Sequence, residues 1–142
     1  MREPLHLIKL SVGSESVTSL AKWQATRAAQ ARDGLPRHVT RMWPRRKAEL
    51  LDGGSIYWVI RGFVRVRQRI VRLDEADLGD GIRRCAIVLD PALVLTAATR
   101  RRPFQGWRYL RAEDAPIDLT HDGTDDDLSP QLLAALAEIG VR

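Results

Sequence analysis

Between Val64 and Ile70 the chain reads Val-Arg-Val-Arg-Gln-Arg-Ile. Side chains along a strand alternate between faces with a period of two, whereas those of a helix recur every 3.6 residues. The segment therefore predicts a strand with Val64, Val66 and Ile70 on one face and Arg65, Arg67 and Arg69 on the other. One face packs and the other presents three positive charges, and the neighbouring elements have to satisfy both.

Punctuation and periodicity supply those elements. Leu5 to Val12 predicts a first strand ended by Gly13, and Ser14 or Ser16 caps a helix carrying Val17, Leu20, Ala21, Ala28 and Ala31, stopped by Asp33-Gly34. Arg37 to Trp43 has strand character, and Pro44 fits the first position of a short helix continued to Leu51 and ended by Asp52-Gly53-Gly54. Ile56 to Ile60 predicts a buried strand. Asp74 to Gly81 reads as an acidic turn, and Arg83 to Leu89, Leu93 to Ala97 and Trp107 to Leu110 as further strands. The fold class is α+β, a mixed or antiparallel curled sheet with flanking helices. Residues 1–111 form this domain, residues 112–128 an acidic linker, and residues 129–140 a helix with Leu132, Leu133, Leu136 and Ile139 on one side that docks on the body.

Charge follows the same division. The net value of +5 splits into 22 cations against 10 acids over residues 1–111, and one cation against eight acids over residues 112–142. Cys85 is the only cysteine and sits in an apolar strand, which makes it a small buried hydrophobe. Asparagine is absent, so there is no glycosylation sequon, and no apolar run approaches the length of a membrane span. The expectation is a cytoplasmic protein that does not enter a membrane. His6, His38 and His121 lie far apart, so neither metal nor cofactor is expected.

Twenty of the 23 cations are arginine, and they cluster. Arg41, Arg45 and Arg46 flank Trp43; Arg65, Arg67 and Arg69 share the strand face; Arg100, Arg101, Arg102 and Arg108 lie beside Phe104 and Trp107. Guanidinium forks grip phosphate and aromatic faces stack on unpaired bases, a combination suited to RNA or single strands. The alternative is that these charges only solvate the surface or pair with acids. Of the four tryptophans, Trp58 is expected in the core and Trp23 over the sheet, leaving Trp43 and Trp107 for a binding cleft.

Four blocks carry a resemblance: His6 to Leu10, His38 to Pro44, Leu50 to Ile60 and Arg102 to Leu110. Over residues 5 to 112 the chain resembles an alphaproteobacterial family known only as a domain of unknown function. A second similarity is to the ASCH group of the PUA-like superfamily, whose pattern is Gly-x-Lys-x-x-Glu-x-Arg. Gly54 and Arg61 stand at its glycine and arginine positions, with Ile56 and Val59 where the pattern has lysine and glutamate. That similarity implies a PUA-like β-barrel that binds RNA or modified bases, includes Arg61 in the site, and favours binding over hydrolysis because both polar groups are gone. The function expected is a nucleic-acid-binding module. Two alternatives stand beside it: a small nucleoside-processing hydrolase with candidates Arg61, Asp74, Glu75 and His38, and a basic module that meets an acidic protein. Asp125 to Asp127 read as solvated linker, or as a segment folding over the arginine face.

Overall fold

In chain order the elements are β1 (Leu5–Leu10), α1 (Val17–Ala28), β2 (Arg37–Thr40), α2 (Lys47–Leu51), β3 (Ser55–Ile60), β4 (Phe63–Ala76), β5 (Arg84–Leu89), β6 (Val94–Arg100) and β7 (Trp107–Arg111). They come from a computed structural model that describes residues 3–119. The alternating segment becomes the centre of β4, with Val64, Val66, Gln68 and Ile70 buried and Arg65 and Arg69 exposed. The pattern slips once. Register shifts at Trp58/Val59 and at Val64/Val66 turn Val64 over to join Ile8, Tyr57, Val59 and Leu110, while Val66 and Ile70 pack with Leu20, Leu50, Ile56 and Trp58. Val64 thus does not share a face with Val66 as expected, because a bulge reverses every side chain on its far side.

The sheet is mixed, in the order β2-β5-β4-β3-β1-β7 with β6 also on β4. β1 runs parallel to β3 and antiparallel to β7. β5 takes Ile70–Ala76 of β4 and β6 takes its Phe63–Arg67 end, so two successive strands share the edge of β4 opposite β3. No ladder joins β2 to β7, both short, so the sheet is open rather than closed into the PUA-like barrel that the resemblance implied. β3 is buried along its whole length because Ile56, Trp58 and Ile60 face the larger cluster and Tyr57 and Val59 the smaller one.

α1 starts at a reciprocal cap, in which the Ser19 N–H donates to Ser16 Oγ and the Ser16 N–H to Ser19 Oγ, both at 3.0 Å. It buries Val17, Leu20, Ala21 and Gln24. Trp23, expected over the sheet, lies one position off this stripe; it is 52% exposed, with the Arg27 guanidinium 5.4 Å from its ring centroid. Gln24 reaches instead into the core. Its amide exchanges two hydrogen bonds of 2.7 Å with that of Gln68, which is fully buried. Gln68 Oε1 also accepts from Trp58 Nε1 at 2.8 Å, and Gln68 Nε2 donates to the Asp90 carbonyl at 3.1 Å. Every polar atom of Gln68 is satisfied, which is what allows an amide to occupy this position.

The expected acidic turn is shorter than 74–81, since Asp74 and Glu75 continue β4 opposite Ala86 and Cys85. Ion pairs from Arg72 to Asp74 and from Arg83 to Glu75 offset their charge and let the ladder extend. Asp33 joins α1 to the sheet, accepting from the Leu35 N–H, Arg72 and Arg37. Those three contacts, in that order, hold its carboxyl well below the ordinary range. Arg84 and then the Ile82 N–H lower Asp80 to about 2. A depressed carboxyl contributes stability that is complete above its unfolded pKa and is lost as pH falls through the folded value. Acidification below about pH 4 should therefore lower the melting temperature, and Asp33→Asn should flatten that acid limb in melts recorded between about pH 2 and 5. An unchanged limb in the variant would dismiss Asp33 as a contributor.

Past β7 the chain makes a 3-10 turn over Ala112–Asp114 and then lies along β6. The Ala97 N–H donates to the Ile117 carbonyl at 2.8 Å and the Leu119 N–H to the Leu95 carbonyl at 2.9 Å. Asp118 takes both Nε and Nη2 of Arg67 at 2.7 Å, and Arg67 Nη1 donates to Ser55 Oγ at 3.0 Å. The opening of the expected linker is thus held against the sheet. Residues 120–128, His121 and the helix expected over 129–140 lie outside the described residues. Among the described residues no helix is long and apolar enough to cross a membrane.

Candidate nucleic-acid interface

β6 ends in Arg100, Pro103 keeps the chain from extending the ladder, and the Arg101 N–H is anchored on the Gly62 carbonyl at 2.8 Å. The result is a cleft of about 830 Å³ lined by Arg100, Arg101, Arg102, Phe104, Arg108 and Asp114 among others. Arg108 projects from β7 with its guanidinium 5.0 Å from the Phe104 ring centroid, and Phe104 packs on the smaller cluster. Among the described residues none of these four arginines is in an ion pair. A smaller cleft of about 200 Å³ includes Arg61 and Arg65 in its lining. Arg61 stands in the β3–β4 turn with φ +52° beside Gly62, and among the described residues it too is in no ion pair. The smaller cleft lies against Val17, Ile60 and Leu95 of the larger cluster and the larger cleft against Ile8, Phe104 and Leu110 of the smaller one, so the two share no lining residue and lie on opposite sides of the sheet.

The remaining candidates are divided. Arg41 and Arg45 are exposed on the loop between β2 and α2. Arg46 is held by Glu49 through Nε at 2.9 Å and Nη2 at 2.6 Å. Tyr109 lines part of the larger cleft, and its hydroxyl accepts the Arg45 and Arg46 N–H groups at 2.8 and 3.1 Å, but no residue of that loop lines the cleft. Arg67 is neutralised by Asp118, and Arg69 is exposed but lines neither cleft. The arginine face of β4 therefore does not act as one patch. Its third member, Arg65, belongs to the smaller cleft.

Neither tryptophan is an open stacking platform. Trp107 is only 6% exposed, its Nε1 donates to the Met42 carbonyl at 2.8 Å and its ring meets Tyr109 edge-on at 5.0 Å. The period of two in β7 explains this, since Trp107 and Tyr109 face the larger cluster and Arg108 and Leu110 the other side. Trp43 is half-buried against the core, and the Arg83 guanidinium lies 4.3 Å from its ring centroid. Two cleft residues were missed as candidates. Phe104 was legible beside the arginines, whereas nothing local in the sequence brings Asp114 to them.

The hydrolase candidates do not converge. Asp74 and Glu75, at the far end of β4, pair with Arg72 and Arg83, and neither they nor His38 line either cleft. His38 packs edge-on against Trp58 at 5.8 Å. Burial, aided by the charge of Lys9, pushes its imidazole down to about 4, which keeps it neutral. Burial pushes the Cys85 thiol up to about 11, away from any nucleophilic role. Ile56 and Val59, at the lysine and glutamate positions of the ASCH pattern, are core residues. Among the described residues no group of His, Cys, Asp and Glu is placed to hold a metal ion.

A family model described as a protein of unknown function, DUF1489, matches residues 7–142. No curated protein and no solved structure gives a significant match.

Proposed function

This chain belongs to the DUF1489 family, and from its surface we propose that it is a nucleic-acid-binding module taking RNA or another single strand in the arginine cleft. One observation carries the reading: Arg100, Arg101, Arg102 and Arg108 line a single cleft, and among the described residues none of them has a carboxylate partner. Unpaired guanidinium groups in a concave site concentrate positive potential and grip phosphate oxygens bidentately. Arg108 over Phe104 supplies a flat, cationic surface on which an unpaired base can stack. Arg61 and Arg65 line a separate, smaller cleft and stand outside this one. A cytoplasmic location belongs to the proposal and fits a free, buried Cys85.

Anisotropy of a labelled single-stranded RNA, titrated at several salt concentrations, tests this. Single-strand binding loses about 0.7 in log–log slope per phosphate neutralised, so Arg100→Glu, Arg101→Glu and Arg102→Glu combined should flatten the slope by about 2. Affinity at low salt should fall at least tenfold, whereas Arg69→Glu should do much less. An affinity independent of salt, or one that survives the triple reversal, would overturn the proposal. Reversal at Arg67 is unsuitable, since it would set a carboxylate against Asp118 and report on folding.

A further inference from the structure

Asp114 is out of place in a cleft that only grips phosphate. Among the described residues it is the one acid in the lining, beside four arginines, and its negative charge opposes a polyanion. Its side chain is 52% exposed and forms an ion pair with Arg111, whose Nε stands 3.5 Å from Oδ2, too long for a strong hydrogen bond, so the carboxylate can still accept further donors. A carboxylate offers two parallel acceptor oxygens and no donor. Among the four RNA bases only guanine presents two adjacent donors, N1–H and the N2 amino group, on its Watson–Crick edge. Adenine and cytosine set a ring-nitrogen acceptor beside their single amino group, and uracil flanks its one N–H with two carbonyl oxygens, so each would turn a lone pair toward the carboxylate.

Resting on the nucleic-acid reading above, we infer that Asp114 selects guanine: a base stacked on the Arg108–Phe104 pair offers its Watson–Crick edge to the carboxylate while the arginines hold the flanking phosphates. The acid that weakens general phosphate binding is then the source of base discrimination. A matched bidentate contact separates right from wrong base by at least about tenfold.

The test uses adenosine octamers, the same octamers with one central guanosine or inosine, and the full chain with and without Asp114→Asn. Guanosine should bind at least tenfold more tightly than all-adenosine RNA, and inosine, which lacks the N2 amino group, should fall between them. Asp114→Asn should abolish the preference and raise affinity for all-adenosine RNA, because it removes a charge that repels the phosphates. Equal binding of all three oligomers, or a guanosine preference that survives the substitution, would overturn the inference and leave RNA binding intact. Absence of binding to any of them would overturn both. The inosine comparison needs no variant, so a folding defect in Asp114→Asn cannot decide the outcome.

Discussion

Gln68→Ala should lower the unfolding free energy by about 3–5 kcal/mol, a loss at the upper end for a point substitution. The side chain is fully buried in β4, so its removal opens a cavity beneath α1. More is lost in partners. Trp58 Nε1, both amide atoms of Gln24 and the Asp90 carbonyl each give up a bond to Gln68, the first three in the buried core. An unsatisfied buried group costs about 1–3 kcal/mol, and the cavity relaxes enough to keep the total below the simple sum. Gln68→Leu should recover packing but little stability, because it still strands the same partners. The double variant with Gln24→Leu should lose less than the two single losses combined, by about 1–3 kcal/mol, since each amide then no longer orphans the other. Urea unfolding of the four proteins measures the cycle. A Gln68→Ala variant within about 1 kcal/mol of the parent would refute this account of the core.

Gly54→Ala should be the most damaging glycine substitution. A Cβ at Gly54 would lie 2.3 Å from the Leu5 carbonyl oxygen and 2.4 Å from the Leu50 carbonyl oxygen. Both obstacles are backbone, so no rotamer change relieves them; β1 or the end of α2 has to move. The same residue donates its N–H to the Leu50 carbonyl and accepts from the Ile70 N–H, each at 2.9 Å, which ties α2, the start of β3 and β4 at the point where β1 passes closest. Overpacking of this kind costs about 3 kcal/mol or more. Gly53 next to it makes the opposite demand. A Cβ there meets only Pro4 at 3.9 Å, but the backbone sits at φ +90°, so Gly53→Ala should cost about 1–2 kcal/mol through conformation alone. Thermal melts that rank the two in the reverse order would contradict the close approach at Gly54. Gly54 is also the glycine of the ASCH-like pattern, and packing accounts for it without reference to a ligand.

What could be read in advance follows from the range of the interaction that decides it. The strand at Val64 to Ile70, the apolar Ile56 to Ile60 run and the Ser16 cap depend on neighbours a few residues away, and each is formed. The bulge that moves Val64, the Gln24–Gln68 pair and the capture of Arg67 by Asp118 depend on chain segments far apart, and no local pattern encodes them. The arginine clusters were visible as composition. Which of them stays free of carboxylates was not, because each partner is chosen by the fold. Trp107 is the instructive miss: its arginine neighbour suggested a cleft, yet the alternation that located Arg65 and Arg67 also turns Trp107 inward.

The position of β1 has a consequence for synthesis. Its Leu7 to Leu10 pair with Ile56 to Val59 of β3, and its other edge waits for Trp107 to Arg111. β1 is therefore flanked on both sides by segments made much later than itself, and its second edge stays open at least until Trp107 to Arg111 have been made. Such distant pairing folds slowly, because the intervening loop must close before any contact repays it. Over that interval the nascent chain carries an apolar strand with an unsatisfied edge, the kind of surface that chaperones hold and that aggregation exploits.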